Sequence, residues 1–134
     1  MRSRTALVIA GLALLIAAQP VVAHHSFSAE FDASKPFKMT GTVTKVEWMN
    51  PHTFFYIDVT DEKSGKVTNW AMEMGSPNGL MRQGWTRNTM KIGDVVTVEG
   101  SMAKDGSPTG NARSVTLNAT GQRLFAASSQ GTTP

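Results

Sequence analysis

From Met39 onwards, apolar and polar residues alternate in short runs broken by Gly, Asp and Pro, the pattern of short β-strands joined by turns. Met39, Gly41 and Val43 share one parity, whereas Val46 and Trp48 share the other. One extra residue near Thr44-Lys45 restores the register, so the pattern predicts a β-bulge or sharp bend there. A second strand is predicted from about Thr53 to Thr60, with Phe55, Ile57 and Val59 alternating against Phe54, Tyr56 and Asp58. Asp61 to Gly65 is a turn signal of hairpin length. The third strand, Lys66 to Met74, sets Trp70, Met72 and Met74 on an inward face and Asn69, Ala71 and Glu73 on the outward one.

Ser76-Pro77 then reads as a helix start, with Ser76 as the N-cap and Pro77 in the first turn, where its missing N–H costs nothing. Leu80 and Met81 give this helix a short apolar side, Gly84 ends it, and Trp85 is expected to be buried as a plug. Gly93-Asp94 marks a turn into a fourth strand, Val95 to Met102; a polar loop, Ala103 to Gly110, leads to a fifth, Asn111 to Asn118. Five short strands with one helix between the third and the fourth is the element order of an OB-fold, and a strongly bent first strand lets so small a barrel close. The predicted fold class is therefore all-β with one short helix, a five-stranded OB-fold-like barrel spanning residues 38–124. An open β-sandwich of the same elements is the alternative, and element order does not separate the two.

The flanks read differently. Residues 24–37 lack sustained alternation and include Pro36, so they are expected to form an irregular N-terminal arm whose Phe27, Phe31 and Phe37 pin it to the core. Residues 125–134 are expected to be a disordered tail. Residues 1–23 have the plan of a secretory signal: Arg2 and Arg4, an apolar run from Ala6 to Ala18, and a small-residue cleavage site at Val21-Val22-Ala23. The run is shorter than the roughly 20 residues of a comfortable membrane span, and Gln19-Pro20 interrupts its extension. Cleavage after Ala23 leaves no stable membrane span and places the chain in the periplasm or outside the cell.

Export changes the meaning of the charge. The 134-residue chain carries 13 Lys and Arg against 10 Asp and Glu. Without Arg2 and Arg4 the balance is 11 against 10, and no basic run remains, which argues against nucleic acid as a partner. Cysteine is absent, so disulfides, thiolate metal sites and cysteine nucleophiles are excluded together. No Gly-rich phosphate loop, paired-carboxylate signature or serine-nucleophile motif is present, and nothing identifies an enzyme substrate.

The chemistry that remains centres on three histidines. Cleavage makes His24 and His25 the first residues of the mature chain. The α-amine, backbone nitrogen and imidazole of one residue form a chelate for a divalent transition metal, and nitrogen ligands favour Cu(II). This arrangement is similar to the histidine brace of lytic polysaccharide monooxygenases and periplasmic copper carriers. His52, presented on the stiff turn Asn50-Pro51-His52, is the residue expected to close the site. The candidate metal residues are thus His24, His25 and His52. Met49 is a weak ligand candidate; Glu73, expected to be an exposed carboxylate, is the alternative partner that orients a histidine ring. Met72 and Met74 read as core filler. Phe54 and Tyr56, on one outward face, form a candidate surface for a ligand or partner, or a seat for Phe27 or Phe31 of the arm.

The mature start His24-His25-Ser26, the segment Trp48-Met49-Asn50-Pro51-His52, the strand end Trp70 to Glu73, and Gly84-Trp85 before Gly93-Asp94 together resemble a family of small exported bacterial proteins of unknown function. The resemblance spans nearly all of residues 24–118 and implies a periplasmic β-barrel domain, with no established activity. Met49 departs from it, standing where Thr is more usual. The functional expectation is a periplasmic metal-binding or carrier protein with copper as its metal. The alternative is a non-catalytic module that binds an envelope partner protein or ligand; an oxidative copper enzyme comes third.

Overall fold

The computed structural model describes residues 27–127. A single helical turn, α1 (Phe27–Glu30), leads into a long first strand, β1 (Phe31–Glu47). β2 (Phe54–Thr60), β3 (Val67–Glu73), a short helix α2 (Pro77–Arg82), β4 (Val95–Ala103), β5 (Thr109–Leu117) and β6 (Gln122–Phe125) follow. The protein is all-β in class, and five of its strands pair in a closed ring: β1 with β2 and β4, β2 with β3, β4 with β5, and β3 with β5. Every one of these ladders is antiparallel except β3–β5, which is parallel. β6 adds to the far side of β5.

The length of β1 makes the ring possible. Its first part pairs with β4 from Phe31 to Thr42, and its last part pairs with β2 from Thr42 to Glu47. Gly41 sits where the strand changes partner. A Cβ there would lie 2.6 Å from the carbonyl oxygen of Asp58, so only glycine admits β2 at this approach. The predicted bulge lies where the parity changes, as a register shift between Val43 and Lys45.

Alternation along the strands builds the core. Phe55, Ile57, Met72, Val96, Val98 and Val115 are fully buried, with Leu80 and Trp85 closing over them. Side chains of this size each contribute about 1.5–3 kcal/mol by leaving water. α2 begins as the sequence predicts: Ser76 is the N-cap, its hydroxyl accepts from the Gly79 N–H at 3.2 Å, and Pro77 opens the first turn. Gly84 follows with φ +97°, a backbone shape that suits glycine. Leu80 packs inward as expected, whereas Met81 is half-exposed.

Three expectations are corrected. Phe31 to Phe37 is strand and not irregular arm: Phe31 and Asp32 pair with Ala103 and Met102, and pairing resumes from Pro36 after a register shift. That shift breaks the alternation a strand would otherwise show. A sixth strand also follows the five expected. Gln122 to Phe125 forms β6, with Leu124, Ala126 and Ala127 buried, so the tail does not begin at residue 125. Glu73 is buried, not exposed. The tail residues 128–134, the signal segment 1–23 and the first arm residues 24–26, His24 and His25 among them, lie outside the described residues.

Candidate functional site

His52 stands in the connection between β1 and β2, after a cis Asn50–Pro51 peptide bond. The next residue ties this connection to the end of β3. The Thr53 N–H donates to the Gly75 carbonyl at 3.0 Å, and the Thr53 carbonyl accepts from the Met74 N–H at 2.8 Å. His52 is thereby held beside the last residue of β3, and its Nδ1 lies 2.7 Å from Oε1 of Glu73. The imidazole is about one-third exposed, while the carboxylate is nearly enclosed.

Glu73 shares its parity with outward-facing residues, yet it is largely shielded from water. β3 is paired on both edges at this point, with Phe54 of β2 on one side and Asn111 of β5 on the other. Above it, α1 and the loop after β4 cover the end of the ring. The result is an open cleft of about 440 Å³ lined by Glu30, Phe31, Phe54, Glu73, Lys104 and Asp105, among others. Burial holds the Glu73 carboxyl above its ordinary value; the nearby His52 opposes that rise and Glu30 adds to it.

The geometry sorts the remaining candidates. Phe54 lines the cleft beside Phe31, which is buried and stacks on Phe27 with ring centroids 5.7 Å apart. Tyr56, two residues on, belongs to another group. Its hydroxyl donates to Oε2 of Glu47 at 3.4 Å, and the Lys45 ammonium, itself paired with Glu47, lies 5.3 Å from its ring centre. Phe54 and Tyr56 therefore meet different surroundings. Met49 is half-exposed, and Met72 and Met74 are core residues, as their parity predicts. No cluster of three or more His, Asp or Glu side chains able to hold a metal occurs among the described residues.

Sequence parity alone missed two members of this site. Glu30 and Asp105 reach it because β1 and β4 pair as far as Phe31 and Ala103, which sets the residues flanking both strand ends over Glu73. Asp105-Gly106 reads as a turn in the sequence, and the Asp105 carboxylate does accept from the Ser107 N–H at 2.9 Å.

Fold and site define a small all-β protein with a histidine–carboxylate pair at one end of a closed strand ring. The chain belongs to a family of unknown function, DUF6152, whose model matches residues 12–113. No curated protein and no solved structure matches the chain. No helix among the described residues is long and apolar enough to cross a membrane.

Proposed function

We propose that the protein is a periplasmic metal-binding or carrier protein, with copper as its metal, in which His52 and the mature N-terminal residues His24 and His25 supply the ligands. The His52–Glu73 pair carries this reading. A carboxylate on Nδ1 selects the tautomer, holds the ring and leaves Nε2 to face a ligand, which is how metal-binding imidazoles are commonly supported. Because the described residues contain no further histidine, a site built on His52 needs ligands from residues 24–26.

Chain length favours the meeting. Glu30 is close enough to Glu73 to act on its charge, and only three residues of the mature chain, 24–26, precede the helical turn that ends at Glu30, a reach of about 10 Å when extended. The donor set is two imidazoles, or three, with an amine, and nitrogen donors of this kind rank copper highest among divalent metals. The ring order and the bent first strand support an OB-like barrel as the scaffold, with the histidine on its first connecting loop, a common binding surface of that fold. Export rests on the signal plan of residues 1–23 and requires cleavage after Ala23.

The test uses protein purified from the cell envelope, its N-terminus established by mass. Calorimetric titration with Cu(II) is expected to show tight binding that weakens at least tenfold on His52→Ala and on adding one residue before His24. Unchanged affinity in both variants overturns the site.

A further inference from the structure

The outer face of β1, β4, β5 and β6 carries an open polar cleft of about 450 Å³, lined by Lys38, Thr97, Glu99, Thr116 and Arg123. Cross-strand register explains why they meet. Lys38 lies opposite Glu99, Glu99 opposite Ser114, and Ser114 opposite Phe125; in the next row Thr97 faces Thr116, and Thr116 faces Arg123. Residues opposite one another on paired strands share a face, so four strands set two cations, one carboxylate and several hydroxyls on one surface. Glu99 stands between the cations. Its Oε2 accepts from Nη2 of Arg123 at 3.1 Å and from the Ser114 hydroxyl at 3.2 Å, and Lys38 is close enough to act on its charge. Donors remain unspent. Among the described residues the Lys38 ammonium and the Thr116 hydroxyl have no hydrogen-bond partner, and Arg123 uses Nη2 alone. Phe125 ends the first row with its side chain 40% exposed.

We infer that this cleft binds an acidic oligosaccharide, with sugar carboxylates on Lys38 and Arg123 and sugar hydroxyls on Glu99 and Thr116. Charge complementarity selects the class. Two cations against one carboxylate leave a single positive charge in excess, so the occupant carries negative charge, but sparsely. A chain of closely spaced phosphates would set one of them against Glu99. A chain of sugar acids does not, because hydroxyls separate its carboxylates. Oε1 of Glu99 accepts no hydrogen bond from the described residues and takes a hydroxyl donor in that interval. The Lys38 ammonium and the free N–H groups of Arg123 donate to carboxylates, in bonds that charge strengthens. β1 and β6 stand three strand spacings apart, about 14 Å, a span for linked rings and not for a single one. Phe125 shares the face of Arg123 and offers an aromatic surface to the C–H side of a sugar ring, a contact for which an acidic peptide has no use. Every group comes from a paired strand, and neither His52 nor the chain before Phe27 takes part.

The experiment is an NMR titration of the isotopically labelled full protein with trigalacturonate, beside neutral maltotriose and a hexaglutamate peptide. Trigalacturonate is expected to shift the amides of Lys38, Thr97, Glu99, Thr116, Arg123 and Phe125 saturably, with an affinity that falls as salt rises. Lys38→Gln breaks no hydrogen bond among the described residues and is expected to weaken binding about fivefold, the upper worth of one exposed charge contact. Phe125→Leu is expected to weaken it several-fold without altering the salt dependence. Should Phe125→Leu loosen β6, Lys38→Gln and the comparison with maltotriose decide. Absent cleft shifts at millimolar sugar, or wild-type affinity in Lys38→Gln, overturn the site. Maltotriose bound as tightly as trigalacturonate overturns the acidic class. Tighter binding of hexaglutamate, or undiminished binding by a well-folded Phe125→Leu, overturns the saccharide.

Discussion

The indole Nε1 of Trp85 donates a 2.8 Å hydrogen bond to the carbonyl oxygen of Phe125, 40 residues further along the chain. It joins the residue that closes the core after α2 to the final strand. Trp85→Phe keeps most of the packing and removes the donor. The expected loss is about 1 kcal/mol, against about 3–5 kcal/mol for Trp85→Ala, which also opens a cavity. Urea unfolding of the two variants checks this order, and equal losses would show that the hydrogen bond carries the whole effect.

Gly100 stands where the register between β4 and β5 shifts, and a Cβ there would lie 1.9 Å from the carbonyl oxygen of Asn111. Both sides of that clash are backbone, so neither can rotate away. Gly100→Ala is expected to cost about 3 kcal/mol or more. Gly65→Ala meets no atom within 4 Å and suffers only from its φ of +72°, a cost of about 1 kcal/mol. Thermal unfolding should rank Gly100→Ala well below Gly65→Ala, and a reversed ranking would refute the backbone approach.

The pH dependence of stability should carry the mark of Glu73. Burial raises its carboxyl above the ordinary value of 4.5 in the folded chain, against the opposing pull of His52. Between the ordinary and the folded value the native state binds more protons than the unfolded one, so stability falls as pH rises through that window. His52→Ala removes that opposing pull, raises Glu73 further and widens the window. Glu73→Gln abolishes this component. Urea midpoints measured from about pH 4 to about pH 7 should separate the three proteins by slope; parallel profiles would contradict the burial of an ionisable Glu73.

Asp61 gives the opposite sign. Its carboxylate accepts from the backbone N–H of Ser64 at 2.8 Å and of Lys63 at 2.9 Å, and from the Ser64 hydroxyl at 3.1 Å. These bonds, the Ser64 backbone bond foremost, hold its carboxyl below the ordinary value of 3.8. The stability it supplies is present above that value and is lost as pH falls through the lower, folded one. Asp61→Ala is thus expected to destabilise the hairpin at neutral pH, with the difference from wild type vanishing in strong acid. A difference that persists unchanged there would assign Asp61 a role in shape alone.

Much of the ring is written in single residues. The parity change between Val43 and Val46 announces the bulge, and Ser76, Pro77 and Gly84 mark the two ends of α2, because bulges and caps act on local geometry. The strand character of Phe31 to Pro36 is hidden by the register shift after Asp32 and by Pro36. β6 has only four residues, with Leu124 alone buried, which is too short for alternation to show. The burial of Glu73 is a tertiary effect. Parity records which side of a strand a residue occupies, and the groups covering that side come from Glu30 and Asp105, far away in sequence. The pairing of His52 with Glu73 shows in the sequence only as a possible partnership; its geometry depends on the hydrogen bonds by which Thr53 ties one connection to the end of another strand.

The parallel ladder that closes the ring has three residue pairs, Ala71 with Thr109, Met72 with Gly110 and Glu73 with Asn111, the fewest of any ladder here. A short parallel seam is where a closed sheet breathes most readily. Glu73 is its last rung. Each local opening of the seam is therefore expected to loosen the anchor of His52 while the antiparallel ladders stay shut, so the motion of its ring is set by the seam and not by global unfolding.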